Sequence, residues 1–572
     1  MMTNQQIAAI FEEMADILDF QGANSFRVRA YRNASRTVKD FGESLAQYRD
    51  EGGKFTAIEG IGKDLAEKIT TLLDTGKLEQ HQELCEAVDA NVLAMLRIPG
   101  LGPKKAAVLH KELGINSLEM LREACDEQRV RELKGFGAKT EELILRGLPF
   151  ADTAEKRIYW SEADVYAQEM LAHMRACSAV KQCDVAGSYR RGKETIGDLD
   201  ILVDATDHEA VMDHFSVFPD MAEVLVRGET KMSIRLDSGL QVDLRVVPEE
   251  SFGAALQYFT GSKQHNVILR GRAKARGLKI NEWGIYRDEE YLGGRTEEEI
   301  YDAMNLPTMP PELREARREF EWADADDLPE LIELRDIRGD LHMHTTETDG
   351  KNTLEEMVEA AQQRGLKYIA ITDHSKRVTM ANGLDGKRLL QQWATIDALN
   401  ATLDGFDVLK GVEVDILEKG GLDIEDEFLK EADWVIASIH YGQSQPRAQI
   451  TRRIVEALEN PYVCAIAHPT GRIINRRDAY DVDLDVVYKA AKENNKMLEL
   501  NSNPARLDLN DVACMGAKDH GIPIVISTDA HSTKRLEVMQ YGILQARRAG
   551  LTRNDVANTR TWKQLRKMLG RG

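Results

Sequence analysis

The sequence predicts a multidomain chain of mixed α+β and α/β class: a helical N-terminal region, a central α+β region and a C-terminal α/β barrel. Three observations predict it. A motif of one apolar residue, a Gly-x-Gly turn and a helix recurs before residue 140. An Asp-x-Asp pair sits on an apolar strand near the middle of the chain. After residue 337, apolar runs that end in His, Asp or Glu alternate with helical stretches. At 572 residues and 42% hydrophobic, the chain exceeds what one core can serve.

Composition excludes several classes. No run of about 18 apolar residues exists, so no membrane span is expected. Met1–Gln6 lacks the basic-then-apolar pattern of a secretory signal, and six scattered cysteines without a Cys-x-x-Cys pair suit reduced thiols. A cytoplasmic location follows. The net charge of −21 argues against a DNA-coating protein but not against a DNA enzyme, in which local basic patches and bound metals supply the positive field.

Taken in order, residues 3–50 read as helices, with Ile7, Ile10, Phe11, Met14, Ile17 and Leu18 at helical spacing. Phe26 to Arg32, with Arg36 and Lys39 beyond, forms a basic aromatic face: a phosphate-backbone contact or a solvated helix surface. The repeat follows. Ile58-Glu59-Gly60-Ile61-Gly62-Lys63 returns as Ile98-Pro99-Gly100-Leu101-Gly102-Pro103-Lys104-Lys105, and more weakly as Leu133-Lys134-Gly135-Phe136-Gly137-Ala138-Lys139. The glycines permit a tight turn that presents backbone N–H groups at a helix start, which grips one phosphate without reading bases. The expected binding is independent of base sequence.

Residues 161–176 read as an amphipathic helix under a sheet. Next comes Ala186-Gly187-Ser188-Tyr189-Arg190-Arg191, a small-residue loop with two arginines, followed by a strand from Asp198 to Val203. Strand side chains alternate, so Asp198 and Asp200 share a face while Leu199 and Ile201 enter the core. Two carboxylates side by side need a cation, and a hard ion such as Mg²⁺ held by carboxylates and substrate phosphates is the natural occupant. Gly187 and Ser188 offer the groups that hold a phosphate. Residues 305–337, with four prolines amid acidic and basic residues, read as a linker with a polar helix.

Seven of the thirteen histidines lie after residue 337. Six close apolar runs: His342 and His344, His374, His440, His468 and His531. Glu413 and Asp529 close others. Strands alternating with helices, with polar residues at strand C-termini, describe a barrel whose site lies on its C-terminal face. Converging imidazoles and carboxylates need metal, and this donor mix suits Zn²⁺ or Mn²⁺. His520 sits at a helix end and is not counted as a ligand.

The Gly-Ser loop, arginine pair and Asp-x-Asp strand resemble the nucleotidyltransferase signature of family X DNA polymerases, and the Gly-x-Gly repeats resemble helix-hairpin-helix motifs. The histidine series resembles the PHP (polymerase and histidinol phosphatase) domain, a distorted barrel of seven strands and helices. The resemblance covers nearly the whole chain, with motifs in the expected order. It implies a helical lyase-like domain over 1–80, a fingers-like domain over 81–149, a palm over 150–246, a thumb over 247–316, a linker over 317–337 and a PHP domain over 338–572.

The same resemblance implies roles. Asp243, the sole acid in Gln241–Val247, matches the third catalytic carboxylate beside Asp198 and Asp200. Gly187, Ser188 and Arg191 would take the nucleotide phosphates, while Tyr258, Phe259, Gly261, Asn266 and Arg270 would line the nucleotide and template. Gly60, Gly62, Gly100, Gly102 and Lys104 would hold DNA. Lys68 matches the lyase nucleophile, although Asp64 stands where a basic phosphate ligand is usual. His342, His344, Asp349, His374, Glu413, His440, His468, Asp529 and His531 match the nine ligands of three metal ions. Arg472 and Arg477, just beyond His468, are candidates to hold a substrate phosphate.

The implied activity is filling of short gaps in DNA repair, from gapped or primed duplex and dNTPs with Mg²⁺ or Mn²⁺. A PHP 3′–5′ exonuclease using Mn²⁺ or Zn²⁺, and nicking at abasic sites, are implied beside it, in a monomer. The alternative is a metal-dependent DNA phosphoesterase whose N-terminal half mainly binds damaged DNA.

Overall fold

The computed structural model describes residues 2–570 except 3, 40, 42–44, 51, 59, 87, 89–94, 96–100, 139, 143 and 146–156. The chain divides into two units, residues 1–156 and 157–572.

The first unit is helical. Helices Asn4–Phe20 and Ser25–Lys39 pack through Phe11, Met14, Tyr31 and Ala34, all buried. Helix Lys63–Thr75 starts at Gly62 and stops at Gly76, whose φ of +70° ends it in the left-handed conformation. Helix Pro103–Leu113 repeats the design between Gly102 and Gly114. In both, the buried faces (Leu65, Ile69 and Leu72; Ala106 and Leu109) join one core, so burial of apolar area rather than helix propensity holds these short helices.

The second unit starts with an extended pair, β1 (Ile158–Tyr159) and β3 (Thr195–Ile196), flanking β2 (Val180–Val185) in sequence. β4 (Asp198–Ala205), β5 (Met221–Arg227), β6 (Lys231–Leu236) and β7 (Gln241–Val247) complete a five-stranded sheet ordered β2-β4-β7-β6-β5. Only the central pair, β4 and β7, is parallel. Helix Trp160–Arg175 packs under it through Ala163, Ala167, Met170 and Met174, as the amphipathic pattern predicts. Helix Phe252–Thr260 covers the opposite face. A three-stranded antiparallel sheet, β8 (Lys279–Asn281), β9 (Gly284–Arg287) and β10 (Glu290–Gly293), follows.

The stretch 317–337, expected as a linker, is instead packed into this unit. Phe320 and Ile332 are buried, Glu319 accepts from the buried His265 ring at 2.9 Å, and Arg318 pairs with Asp519 at 2.6 Å. Its charges are partners of other charges, which composition alone does not reveal.

The remainder is a parallel seven-stranded barrel in sequence order: β11 (Gly339–Asp340), β12 (Tyr368–Ile371), β13 (Asp407–Asp415), β14 (Trp434–Ser438), β15 (Ala465–Ile466), β16 (Met497–Asn501) and β17 (Ile524–Ser527). A bridge between Met343 and Ala530 brings the first and last strands together. Strand alternation splits the core: Ile369 and Ile371 face the helices, whereas Tyr368 and Ala370 join Trp434 and Val525 inside. Among the described residues, no helix is long and apolar enough to cross a membrane.

Candidate functional sites

On β4, Leu199 and Ile201 are buried, which turns Asp198 and Asp200 to the opposite face. Asp200 is the register partner of Asp243 on β7. Strand neighbours lie about 4.8 Å apart. Three carboxylates thus crowd one patch. Burial, then Asp198 and Asp243, pushes the Asp200 carboxyl up to about 7. Burial and Asp243 raise Asp198 as well. Asp243 is held by Lys231 Nζ at 3.2 Å and by Gln241 Nε2, which donates to it at 3.0 Å. Crowded, hard oxygen donors whose mutual repulsion a cation would relieve fit Mg²⁺ or Mn²⁺.

The loop before β4 lies against this patch. Ala186 N donates to Asp200 O at 2.8 Å, and a Cβ on Gly187 (φ +65°) would meet Asp200 Oδ2 at 2.4 Å. Gly187 is therefore required twice, by conformation and by space. Ser188 is half-buried in the helical turn Gly187–Arg190. Arg190 is engaged within the protein. It forks onto Glu297 at 2.8 and 2.7 Å and donates to Thr260 Oγ1 at 3.0 Å. Arg191 donates from Nη1 to Thr260 O at 2.6 Å and from Nε to Glu315 Oε1 at 3.0 Å.

The expected nucleotide-lining residues cluster at the end of helix Phe252–Thr260. Tyr258 and Phe259 are half-buried and meet edge to face at 5.2 Å, and Arg245 lies 4.3 Å over the Phe259 ring. Asn266 Nδ2 donates to Tyr258 O at 2.6 Å, and its Oδ1 would meet a Cβ on Gly261 at 2.5 Å. Asn266 thus braces the turn at Gly261. Arg270 is exposed one helical turn further on.

In the first unit, Gly60 (φ +83°) and Gly62 lead into helix Lys63–Thr75, and Gly102 caps Pro103–Leu113 with Lys104 exposed in its first turn. Gly100 lies outside the described residues. The weaker third copy turns the same way: Gly135 has φ +92°, and Thr140 and Glu141 donate backbone N–H groups to Gly137 O. Lys68 is half-buried, 5.9 Å from the Tyr31 ring centroid, and its ammonium is paired with Asp64.

The barrel gathers all nine expected ligands at the C-terminal ends of its strands. Glu413 is the hub. Its carboxylate lies 2.8 Å from His374 Nδ1, 3.1 Å from His468 Nε2, and 3.5 Å from both His342 Nε2 and His440 Nε2. Asp529 Oδ1 lies 3.2 Å from His344 Nε2. Asp349 bridges His374 at 3.6 Å and His531 at 3.4 Å. Eight of the nine, all but His468, fall into three overlapping donor groups: His344-Asp349-His374-His531, His342-His344-Asp529 and His374-Glu413-His440.

Several donors here are buried without a hydrogen bond, namely His342 Nε2, both ring nitrogens of His344, His374 Nδ1 and Glu413 Oε2. Buried polar atoms are rarely left so unless an ion completes them. His468 (φ +28°) and Asp529 (φ +53°) hold strained backbone at the same place. Burial, with His374 and His531 alongside, drives His344 down to about 3. Burial opposes charge on His374, but Glu413 and Asp349 lift it to about 10. A divalent ion would replace those protons.

The comparisons bear on both halves. Models of the DNA polymerase beta palm match residues 157–249, and of its thumb 255–315. A helix-hairpin-helix domain matches 2–78, a SAM-like helix-hairpin-helix tandem 92–148 and a PHP domain 340–503. The "DNA polymerase/3'-5' exonuclease PolX" of Bacillus subtilis (strain 168) is 41% identical over 575 residues, spanning the whole of both chains. The chain belongs to the family X DNA polymerases with a C-terminal PHP domain. A "DNA polymerase lambda" of Rattus norvegicus is 26% identical, over 54% of this chain and 56% of that protein. A "Probable phosphatase" of Acetivibrio thermocellus is 32% identical, over 34% of this chain and 78% of that one.

In this family X enzyme, Arg472 does not face the metal site. It pairs with Glu194 at 2.7 Å and donates to Leu507 O. Arg477 donates from Nε and Nη2 to Gly471 O at 3.1 and 2.7 Å. Arg506, which sequence reasoning missed, has Nε 3.8 Å from Asp529, an expected ligand. Also missed were two carboxylates that orient ligands. Glu499 meets His342 Nδ1 at 2.7 Å and accepts from His468 N at 2.6 Å, and Asp415 meets His440 Nδ1 at 3.0 Å. The available signal was a charged residue inside an apolar strand, as in Met497-Leu498-Glu499-Leu500-Asn501, and an acid two residues from Glu413 on the same strand face.

Proposed function

We propose that this protein is a DNA-directed DNA polymerase that fills short gaps during repair and carries a 3′–5′ exonuclease in its PHP barrel. The observation that carries this is that one chain brings the three expected palm carboxylates onto one patch and gathers eight of the nine expected barrel ligands into close donor groups. In the palm, Asp198, Asp200 and Asp243 would hold Mg²⁺ or Mn²⁺, Ser188 and Arg191 the triphosphate, and Tyr258 and Phe259 the sugar. Gly187 lets the phosphate loop lie against Asp200. In the barrel, the nine ligands would hold three Mn²⁺ or Zn²⁺ ions. Bound divalent ions supply acidification of the attacking hydroxyl or water and charge neutralisation at phosphorus.

Arg506 and Arg477 are the guanidinium groups we assign to the scissile strand's phosphates. The glycine hairpins would hold duplex DNA without base contacts, so binding should weaken steeply with salt. We further propose Lys68 as the amine of a lyase step, nicking at abasic sites by the barrel, a monomeric state and a cytoplasmic location. The barrel-only phosphatase relatives favour a second reading, a DNA phosphoesterase with a DNA-binding N-terminal half.

The deciding experiment uses a 5′-labelled primer on a one-nucleotide gap with Mn²⁺. Asp243→Ala should abolish extension and retain shortening, and His374→Ala should do the reverse. Extension surviving in Asp243→Ala would refute the palm assignment. A wild type that only shortens primers would establish the phosphoesterase reading.

A further inference from the structure

The phosphate loop of the palm does not stand by itself: the barrel domain holds it. Helix Met539–Arg548, which follows the His531 motif, reaches the loop through three side chains. Arg548 Nη1 donates to Arg191 O at 2.5 Å, and Gln545 Nε2 donates to Gly192 O at 2.9 Å. Leu544 fills the space beside Gly192: a Cβ there would meet Leu544 Cγ at 2.5 Å. Gly192 also has φ +66°, so the loop's return path is left-handed and in contact with this helix.

Arg548 is itself fixed. Its side chain is 1% exposed; Nε and Nη2 lie 2.9 and 2.7 Å from Asp511, and Nη1 is 3.0 Å from Glu315. Glu315 is the acceptor that also holds Arg191 Nε. One buried arginine of the barrel domain therefore touches both the backbone and the carboxylate that set where Arg191 points. Arg472, four residues beyond the ligand His468, clamps the next residue but one of the loop through Glu194. An interface serving only to join domains would pair side chains; this one takes up the loop's own carbonyls, which fixes its backbone.

We propose that Arg548 and Gln545 are positioning residues for the polymerase reaction, holding the loop Ala186–Lys193 in the conformation that receives the nucleotide triphosphate. The PHP barrel is then a structural part of the polymerase site, apart from its own hydrolytic chemistry. This rests on the assignment of that loop to the triphosphate.

The test is gap filling by the full chain in a His374→Ala background, so that primer shortening does not interfere, with dNTP titrated. Two variants are compared: Arg548→Lys, which keeps the charge but loses the fork, and Leu544→Ala with Gln545→Ala, which leaves every ion pair intact. Each should raise the KM for dNTP about tenfold with a smaller change in kcat. The same substitutions in the otherwise wild-type chain should leave 3′–5′ shortening within about twofold and the melting temperature of the double variant near that of the parent. Unchanged KM in the folded double variant would overturn the proposal. So would parallel loss of extension, shortening and thermal stability, the signature of a merely structural contact. Arg191→Ala separates the two layers. If it leaves KM unchanged, the loop assignment fails; if it raises KM while the helix variants do not, the positioning role alone fails.

Discussion

Asp200 on β4 stands directly across the sheet from Asp243 on β7, the two paired in register on parallel central strands. Forty-three residues separate them in sequence, and the crossing places them on one patch with Asp198. Removing Asp243 should lower primer extension by roughly 10⁴-fold, because the two remaining acids would hold divalent ions less well. Gel extension assays on Asp243→Ala, with circular dichroism to verify folding, measure this.

The same crowding sets a pH dependence. Burial and its neighbours raise the metal-free Asp200 carboxyl from 3.8 to about 7, so the folded state binds its proton more tightly than the unfolded chain does. Metal-free protein should lose stability as pH rises from about 4 to about 7, and a divalent ion should restore it. Because proton and metal compete, the Mg²⁺ concentration needed for half-maximal extension should be about tenfold higher at pH 6 than at pH 8. A flat metal requirement across that range would contradict the crowded-carboxylate account.

Glu413 lies within 3.7 Å of five of the barrel's histidines, so it should matter more than any one of them. Glu413→Gln should abolish exonuclease activity and lower bound metal per chain by at least one ion, measured by elemental analysis after dialysis. His440→Ala, at the edge of the cluster, should remove activity but leave more metal bound.

Glu297 joins the phosphate loop to the thumb through Arg190 and the buried Arg314. Burial opposes its charge, but Arg314 and Arg190 hold its carboxyl from 4.5 down to about 2. The sign is that of a depressed acid: its contribution is full above about pH 4.5 and is lost as pH falls toward 2. Glu297→Gln should cost about 3 kcal/mol at pH 7, by leaving two arginines short of a partner, and the difference from wild type should fall to about half or less at pH 3. Denaturant melts at pH 7 and pH 3 test both halves.

The Lys68 side chain is tied to Asp64, and that pairing holds back the amine that would have to reach an aldehyde. Asp64→Ala should therefore increase borohydride trapping of an abasic DNA adduct severalfold, and Lys68→Ala should abolish it. Equal trapping in Lys68→Ala would place the nucleophile elsewhere.

The local chemistry of this protein was legible in its sequence. Alternation made Asp198 and Asp200 neighbours, Gly-x-Gly spacing made the hairpins, and apolar runs ending in His344, His374, His468 or Asp529 made barrel strands, because each pattern depends on residues a few positions apart. Tertiary structure alone decided the long-range pairings. It committed Arg190 to Glu297, turned Arg472 away from the metals to Glu194, buried the supposed linker at Glu319 and Phe320, and set Arg548 against the loop at Arg191. A charged side chain reads the same in sequence whether it faces solvent, substrate or a partner hundreds of residues away. Which of these it meets depends on how strands and helices pack, and that packing is fixed by the burial of the apolar residues around it rather than by the charge itself.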